Sequence, residues 1–378
     1  IVSIILFAIV LKVAYLLFSF GVNVIYHDKD QKLFDYRTVV SAFKKNDSWW
    51  YEGITEKGYP KLTNKKDIGF SDGPEFKQSS WAFFPFYPLA NQGLGRITGL
   101  PFNGTAMILS IVFSIFAFVG FYYFALSLGS SLKQSLFVTL VFMLFPFHYF
   151  YSMFYTEAVY LTFLIWGFLA IHHKKYWLVP VIIVPLSLVR PNGIVVLLPL
   201  LLYYYERRGF VDGFHIQWKK IFSKEIVRPV WMFLSGPIAF FIYGFYQLKM
   251  TGEFFAFSIA QQGWYREFMF PLLSFFRRGD FATQFNSIYA IVVILFSIFI
   301  YKRFPLSLNV LIWISLLLPL CSGSVDSMHR FFIVIFPLYL YLGDKIYHSK
   351  YKIGWLSLII ILHFVTYYTW VMGHPLSC

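Results

Sequence analysis

Polar positions in this chain of 378 residues interrupt a nearly continuous apolar background instead of alternating with it. The apolar runs fall at about residues 1–21, 103–127, 135–149, 156–172, 176–189, 192–205, 229–250, 285–301, 305–321, 330–343 and 353–371. A run of about 18 residues or more can cross a hydrocarbon core of roughly 30 Å as a helix, and only helices and closed barrels satisfy their own backbone there. The pattern predicts an all-α, multi-pass integral membrane protein. It would be a single transmembrane domain over 1–378 with 10–11 membrane helices and a long first external segment over 22–102. The opening run IVSIILFAIVLKVAYLLFSF is too long for a signal peptide and lacks a small-residue cleavage pattern, so it is expected to be the first helix.

Several runs are short, and the two between 176 and 205 meet at Arg190-Pro191-Asn192-Gly193. A proline followed by Asn-Gly favours a turn, which predicts two short helices meeting at one membrane face. The basic loops agree. HHKK at 172–175, ERRGF and the lysines after it at 206–220, YKR at 301–303 and DKIYHSKYK at 344–352 fall on one side only if the chain turns at Pro191. Short basic loops belong in the cytoplasm. The opposite face then receives 22–102, the FPFHYFYSMFYTE turn, the RPNG turn, the segment 251–284 and the SGSVDSMHR turn. Eleven cations between 22 and 102 do not conflict with this, because long segments cross regardless of charge.

Composition narrows the class. Hydrophobic residues make up 58% of the chain and charged ones 13%, and the mean hydropathy is +0.63, more apolar surface than a water-surrounded core hides. The net charge of +14 lies in short loops rather than on one face, so it reports topology and no nucleic-acid partner is expected. Cys321 and Cys378 are the only cysteines, and no HExxH or Cys/His cluster occurs, so no protein-held metal is expected. Walker A, GxGxxG and GxSxG patterns are absent, which argues against nucleotide-driven transport, dinucleotide chemistry and serine hydrolysis. Any chemistry would rest on carboxylates and cations.

The unusual polar residues gather in the segments assigned to the non-cytoplasmic face. In NDSWWYEGITEKGYP, Trp50, Ile54 and Gly58 share a helical face while Glu52, Glu56 and Lys57 turn to water, which predicts a short interfacial helix. Asn46, Asp47 or Ser48 would either cap that helix or, for Asp47, serve chemistry. WAFFPFYPL, with Trp81 and Phe84, is too short and proline-rich to span and is expected to lie at the interface, as an aromatic belt or as a groove wall. Glu157 opens a span, where a helix N-terminus or a partner cation would hold it. Arg190 and Arg330 stand at span ends, where each would snorkel or face a shared polar cavity with Asp47 and Glu157. Lys12, inside the first run, faces the same choice. Gln261, Gln262, Trp264, Tyr265 and Arg266 suit sugar hydroxyls and phosphate, or an ordinary interfacial loop.

Taken in order, NDSWWYEGITEKGYP, WAFFPFYPL, FPFHYFYSMFYTEA, RPNG and SMHRF resemble the PIG-V-like family, the second mannosyltransferase of glycosylphosphatidylinositol assembly. The family pattern runs Asp before aromatics and a Gly-Tyr, then A-F-F-P-L-x-P, then Y-[ST]-E, then R-x-N-G. Asn46 stands where a Trp is usual and Thr55 where Ala is common, and the chain looks shorter than eukaryotic members. The resemblance implies a GT-C glycosyltransferase fold with its site on the external or luminal face. It implies a polyprenyl-phosphate or dolichyl-phosphate sugar donor, commonly mannose, and a glycolipid or other envelope glycan as acceptor. The setting would be a bacterial inner membrane with a periplasmic site, or an endoplasmic reticulum membrane with a luminal one. No cofactor beyond the lipid-linked donor is implied.

On that reading an acceptor hydroxyl attacks the anomeric carbon while a lipid phosphate leaves, with inversion. The family role of base falls on Asp47. Arg190 and Arg330 would hold the phosphate through paired donors, with His329 as helper. Glu157 would orient a cation or a sugar hydroxyl, or exchange roles with Asp47. Asn192 belongs to the R-x-N-G turn, and Trp49, Trp50, Trp81 and Phe84 would stack on sugar or line a prenyl groove, as would Gln262 and Trp264 in binding. The competing classes are a lipid or glycan transporter, which would carry related halves and mid-membrane charges, and an inactive scaffold.

Overall fold

The computed structural model describes residues 1–26, 32, 35–69, 77–217, 227, 229–276 and 279–377. Cys378, the Lys219–Lys220 pair and residues 27–31, 33–34 and 70–76 of the long segment 22–102 lie outside them. Helices dominate. The first half runs α1 Val2–Tyr26, α2 Tyr36–Phe43, α3 Asp47–Lys57, α4 Phe86–Thr98, α5 Phe102–Ser127, α6 Leu132–Leu144, α7 Glu157–His172, α8 Leu178–Val189 and α9 Leu197–Arg207. After them come α10 Val230–Phe233, α11 Ser235–Thr251, α12 Ala256–Ala260, α13 Phe281–Ile300, α14 Leu306–Leu320, α15 Met328–Phe332, α16 Phe336–Tyr347 and α17 Lys352–Val371. The strands among the described residues, Val211–Asp212 and His215–Ile216, form a small antiparallel hairpin after α9.

Among the described residues, five segments are long and apolar enough to cross a membrane: Val2–Tyr26, Phe102–Ser127, Val230–Thr251, Phe281–Arg303 and Lys352–Val371. The other six expected spans are α6, α7, α8, α9, α14 and α16, helices of 11–16 residues. At 1.5 Å per residue these reach only about 17–24 Å. Their ends are completed by irregular chain: the turn His148–Ser152 precedes α7, and Pro191–Gly193 separates α8 from α9. Such non-helical backbone is tolerated at depth only where protein surrounds it, and Tyr149, Phe150 and Tyr151 are each fully buried. The expected break at Pro191 is present, with α8 ending at Val189.

Helix α7 is the most enclosed element, packing against α5, α8 and α9. Helices α1 and α17 close one flank, while α14 packs on α9 and α16 on α6. Lys12, on α1, does not snorkel. It is buried and points inward, donating to Ser110 Oγ at 3.2 Å and the Ser152 carbonyl at 3.1 Å, so one ammonium joins α1, α5 and the irregular turn before α7. Two acceptors replace the water it loses.

The glycine of the RPNG turn has a steric cause. A Cβ on Gly193 would lie 1.9 Å from the Leu186 carbonyl oxygen, so the chain folds back onto α8 only where no side chain intervenes. Gly193→Ala is therefore expected to destabilise by about 1–3 kcal/mol in equilibrium unfolding in mixed micelles. Gly53, on α3, has nothing within 4 Å of its Cβ position, and Gly53→Ala should gain roughly 0.5–1 kcal/mol in the same measurement. Equal effects at the two glycines would contradict the close approach.

Candidate functional site

The segments carrying the unusual charges meet at one end of the bundle. Chain from the α2–α3 corner pairs with the turn before α7, where the Phe154 amide donates to the Phe43 carbonyl at 3.1 Å. Lys45 Nζ donates to the Trp370 and Val371 carbonyls at 2.5 and 2.6 Å, capping the end of α17. Tyr155 Oη donates to the Lys45 carbonyl at 3.1 Å. Phe43 and Lys45, just before Asp47, are thereby tied to the α7 turn, and Lys45 to α17 as well.

Asp47 opens α3, yet its carboxylate does not cap it. Oδ2 accepts from Arg330 Nη1 at 2.8 Å, and Asn46 makes no side-chain cap either. The same guanidinium places its Nε 3.6 Å from Glu157 Oε1. Glu157 in turn pairs with Arg190 Nη2, and Arg190 Nε donates to Thr156 Oγ1 at 2.7 Å. Four charges from four separate segments thus alternate in sign: Asp47, Arg330, Glu157, Arg190. Glu157 is held by charge rather than by aligned hydrogen bonds, because neither of its oxygens has a donor in hydrogen-bond geometry.

Exposure separates the two acids. The Glu157 side chain is 1% exposed and that of Asp47 is 24% exposed. A hydroxyl arriving from outside reaches Asp47 and not Glu157. Aromatic rings frame the cations: the Arg330 guanidinium lies 5.2 Å from the centres of both Tyr155 and Phe331, and that of Arg190 lies 5.8 Å from Tyr160. One helical turn beyond Asp47, Trp50 stacks on Phe83 at 5.8 Å and meets Trp264 edge-on at 5.6 Å, giving a half-buried aromatic wall.

Arg266 follows two residues after Trp264. Its guanidinium sits 5.0 Å from the opposite partner of Arg330, the Phe331 ring, and makes no ion pair or side-chain hydrogen bond among the described residues. Burial first, and the neighbouring Arg330 second, push it down to about 10. Sequence alone offered Arg266 only as one member of a mixed loop. Asp47 and Asp326 act on it in the opposite sense, and its place beside them depends on how 265–269 docks, which no local pattern encodes.

Other expected site residues lie elsewhere. Trp81 and Phe84 are core: Trp81 is fully buried, stacks on Tyr59 at 4.5 Å and donates Nε1 to the Pro60 carbonyl, and Phe84 packs on Tyr243 and Phe257. Neither lines a groove, because WAFFP turns inward before α4 instead of lying along an interface. Trp49 faces outward over the Lys44 ammonium at 3.9 Å. Glu52 turns to Lys44 at 2.6 Å rather than to water. His329 is fully buried with Nδ1 on Asn286 Oδ1 at 2.8 Å. Burial, then Arg330 beside it, push it down to about 3, so it is a neutral spacer and not a phosphate cation. Asn192 holds the turn through its carbonyl, which accepts from the Val195 and Val196 amides. Gln262 does the same for Tyr265, and its neighbour Gln261 reaches the Ala82 carbonyl at 3.4 Å.

Backbone strain borders this site. Among the described residues five non-glycine residues have positive φ, and four of them flank it: Asn46 (46°) before Asp47, Tyr265 (55°) before Arg266, Ser327 (63°) at the start of the α15 turn, and Phe147 (67°), whose ring lies 4.3 Å from His329. Such conformations cost about 1–3 kcal/mol each and persist where surroundings enforce them. Among the described residues no group of three metal-ligating side chains occurs. No protein-family profile matches the chain and no curated protein matches it, so the motif resemblance stands on the residues quoted for it.

The alternating charges make a stability prediction. Arg190→Met leaves the buried Glu157 with only the more distant Arg330, and should cost about 3–5 kcal/mol. Adding Glu157→Met should restore most of that loss in equilibrium unfolding, whereas additive losses would contradict the coupling.

Proposed function

We propose that this protein is a membrane glycosyltransferase of GT-C type, related to the PIG-V-like enzymes, that moves a sugar from a polyprenyl-phosphate donor to a hydroxyl acceptor on the non-cytoplasmic face. The observation that carries the reading is the partly exposed Asp47 carboxylate, fixed by Arg330 and backed by the buried Glu157–Arg190 pair, at the end of an apolar helical bundle. A group-transfer site needs a reachable base beside cations that stay charged, and this cluster supplies both.

The acceptor O–H gives its proton to Asp47 as its oxygen forms a bond to the anomeric carbon. The bond from that carbon to the phosphate oxygen breaks, and the lipid phosphate leaves as an anion. A single displacement inverts the anomeric configuration. Arg330 touches Asp47 and lies beside Arg266, so it holds the base and faces the departing phosphate together. Glu157 neutralises Arg190 and steadies Arg330, a positioning role. Trp50 and Trp264 offer ring faces to a sugar next to the base. The mannose assignment and a glycolipid or envelope glycan acceptor follow the resemblance.

The test uses purified protein in lipid nanodiscs with radiolabelled polyprenyl-phosphate mannose and extracted membrane lipids. Transfer to a lipid-soluble product is expected, and Asp47→Asn should lower it about 10²–10⁴-fold at unchanged melting behaviour. A variant as active as the wild type would remove Asp47 from the role of base; transport of intact donor without transfer would favour a flippase instead.

A further inference from the structure

Helix α14 presents Leu306, Val310, Trp313 and Leu317, spaced as a single helical stripe, to a groove of about 400 Å³. The helix leads from Tyr301, which also lines the groove, toward the turn that carries Arg330, so the Tyr301 end is the one away from the charged cluster. One polar side chain interrupts the stripe. Asn309 is 4% exposed, and its Nδ2 donates to the Phe304 and Pro305 carbonyls at 2.7 and 3.1 Å, which fixes the orientation of the amide. Its Oδ1 has no donor among the described residues, although Asn309 borders the groove. A buried acceptor without a donor is costly, and here whatever fills the groove can supply one.

Cations collect at the same end. Lys302 and Arg303 lie between the lining residues Tyr301 and Leu306, both exposed, and neither forms an ion pair among the described residues. The Lys302 ammonium sits 5.6 Å over the Tyr301 ring. Glu206, at the end of α9, accepts from the Ser307 amide and hydroxyl at 2.7 and 2.5 Å, which brings its neighbour Arg207 to the start of α14. The hairpin after α9 closes over this end, with the Phe214 ring 6.2 Å from Tyr301. Arg207, Arg208, Lys302 and Arg303 outnumber the carboxylates of the same segments, which are Glu206, engaged by Ser307, and the exposed Asp212.

An apolar stripe with cations at one mouth and an unmet acceptor one helical turn inside it has the chemistry of an anionic phospholipid with a hydroxyl-bearing headgroup. We propose that one such lipid, of the phosphatidylglycerol type, occupies the α14 groove. An acyl chain lies along Val310, Trp313 and Leu317, the phosphate meets Lys302 and Arg303, and a headgroup hydroxyl donates to Asn309 Oδ1. Basic side chains beside a membrane surface attract anionic lipid, and the hydroxyl removes the cost left on the buried amide oxygen. The site lies at the other end of α14 from the Asp47 cluster and does not depend on the glycosyltransferase reading.

The experiment uses the purified full chain in detergent micelles and reads lipid affinity by native mass spectrometry. The probes share their acyl chains: phosphatidylglycerol, phosphatidylmethanol, which keeps the charge but has no headgroup donor, and phosphatidylcholine, which has no net charge. Phosphatidylglycerol is expected to bind about tenfold or more tightly than phosphatidylcholine and about threefold or more tightly than phosphatidylmethanol. Joint Lys302→Gln and Arg303→Gln substitution should weaken phosphatidylglycerol about tenfold or more, whereas joint Lys302→Arg and Arg303→Lys substitution should change it less than about threefold. Leu317→Trp, which fills the groove, should weaken phosphatidylglycerol and phosphatidylmethanol alike by about fivefold or more. Each variant is checked for an unchanged melting profile without added lipid. Equal affinity for all three lipids would mean a nonselective apolar seam and overturn the proposal. So would equal affinity for phosphatidylglycerol and phosphatidylmethanol, or phosphatidylglycerol binding unchanged in the double Gln variant or in Leu317→Trp.

Discussion

Arg330 lies between two carboxylates that come from chain segments more than a hundred residues apart, and the polar end of the bundle is organised around that one guanidinium. Two acids brought together beside apolar helices repel each other and lose hydration, and a single planar cation between them offsets both effects. Arg190 then balances what Arg330 alone leaves on Glu157. Remove Arg330 and the α3 corner, the α7 turn and the α15 turn lose their common partner. The surrounding rings of Tyr155 and Phe331 keep the guanidinium in place without competing for its donors.

That arrangement asks the backbone to deliver charges at fixed points rather than along regular helices. Asp47 begins α3, Arg190 ends α8, Glu157 begins α7 and Arg330 sits in a five-residue helix. Helix ends are where side chains can converge from several directions while the apolar lengths pack elsewhere. The left-handed residues at Asn46, Tyr265 and Ser327 are the local expense of aiming those ends. Gly193 serves the same purpose at the α8–α9 turn by letting the chain double back on Leu186.

Much of the architecture was legible in the chain because membrane solvent imposes long apolar runs and confines basic residues to short loops. The gathering of Asp47, Glu157, Arg190 and Arg330 followed from that loop pattern, since Asp47 lies in the long segment, and the other three at span ends, assigned to one face. Helix length was less legible: hydropathy does not distinguish a full span from a 12-residue helix continued by buried irregular chain, as at α8 and the turn beyond it. Side-chain direction was least legible. An aromatic such as Trp81 is equally compatible with a groove wall and a core, and only the inward turn of WAFFP before α4 decides it. His329 reads as a cation by type, but burial and the adjacent Arg330 keep it neutral, on Asn286, 43 positions earlier.

Lys45 carries a consequence for how the molecule is made. Its ammonium binds the carbonyls of Trp370 and Val371, 325 and 326 positions later in the chain, and its own carbonyl is held by Tyr155. A ribosome delivers α3 long before α17, so the corner that presents Asp47 lacks this anchor while most of the helices are being inserted. Completion of that corner therefore waits for a helix synthesised 325 positions later. Until then a nascent chain would carry Asp47 on a helix held by only part of its final contacts.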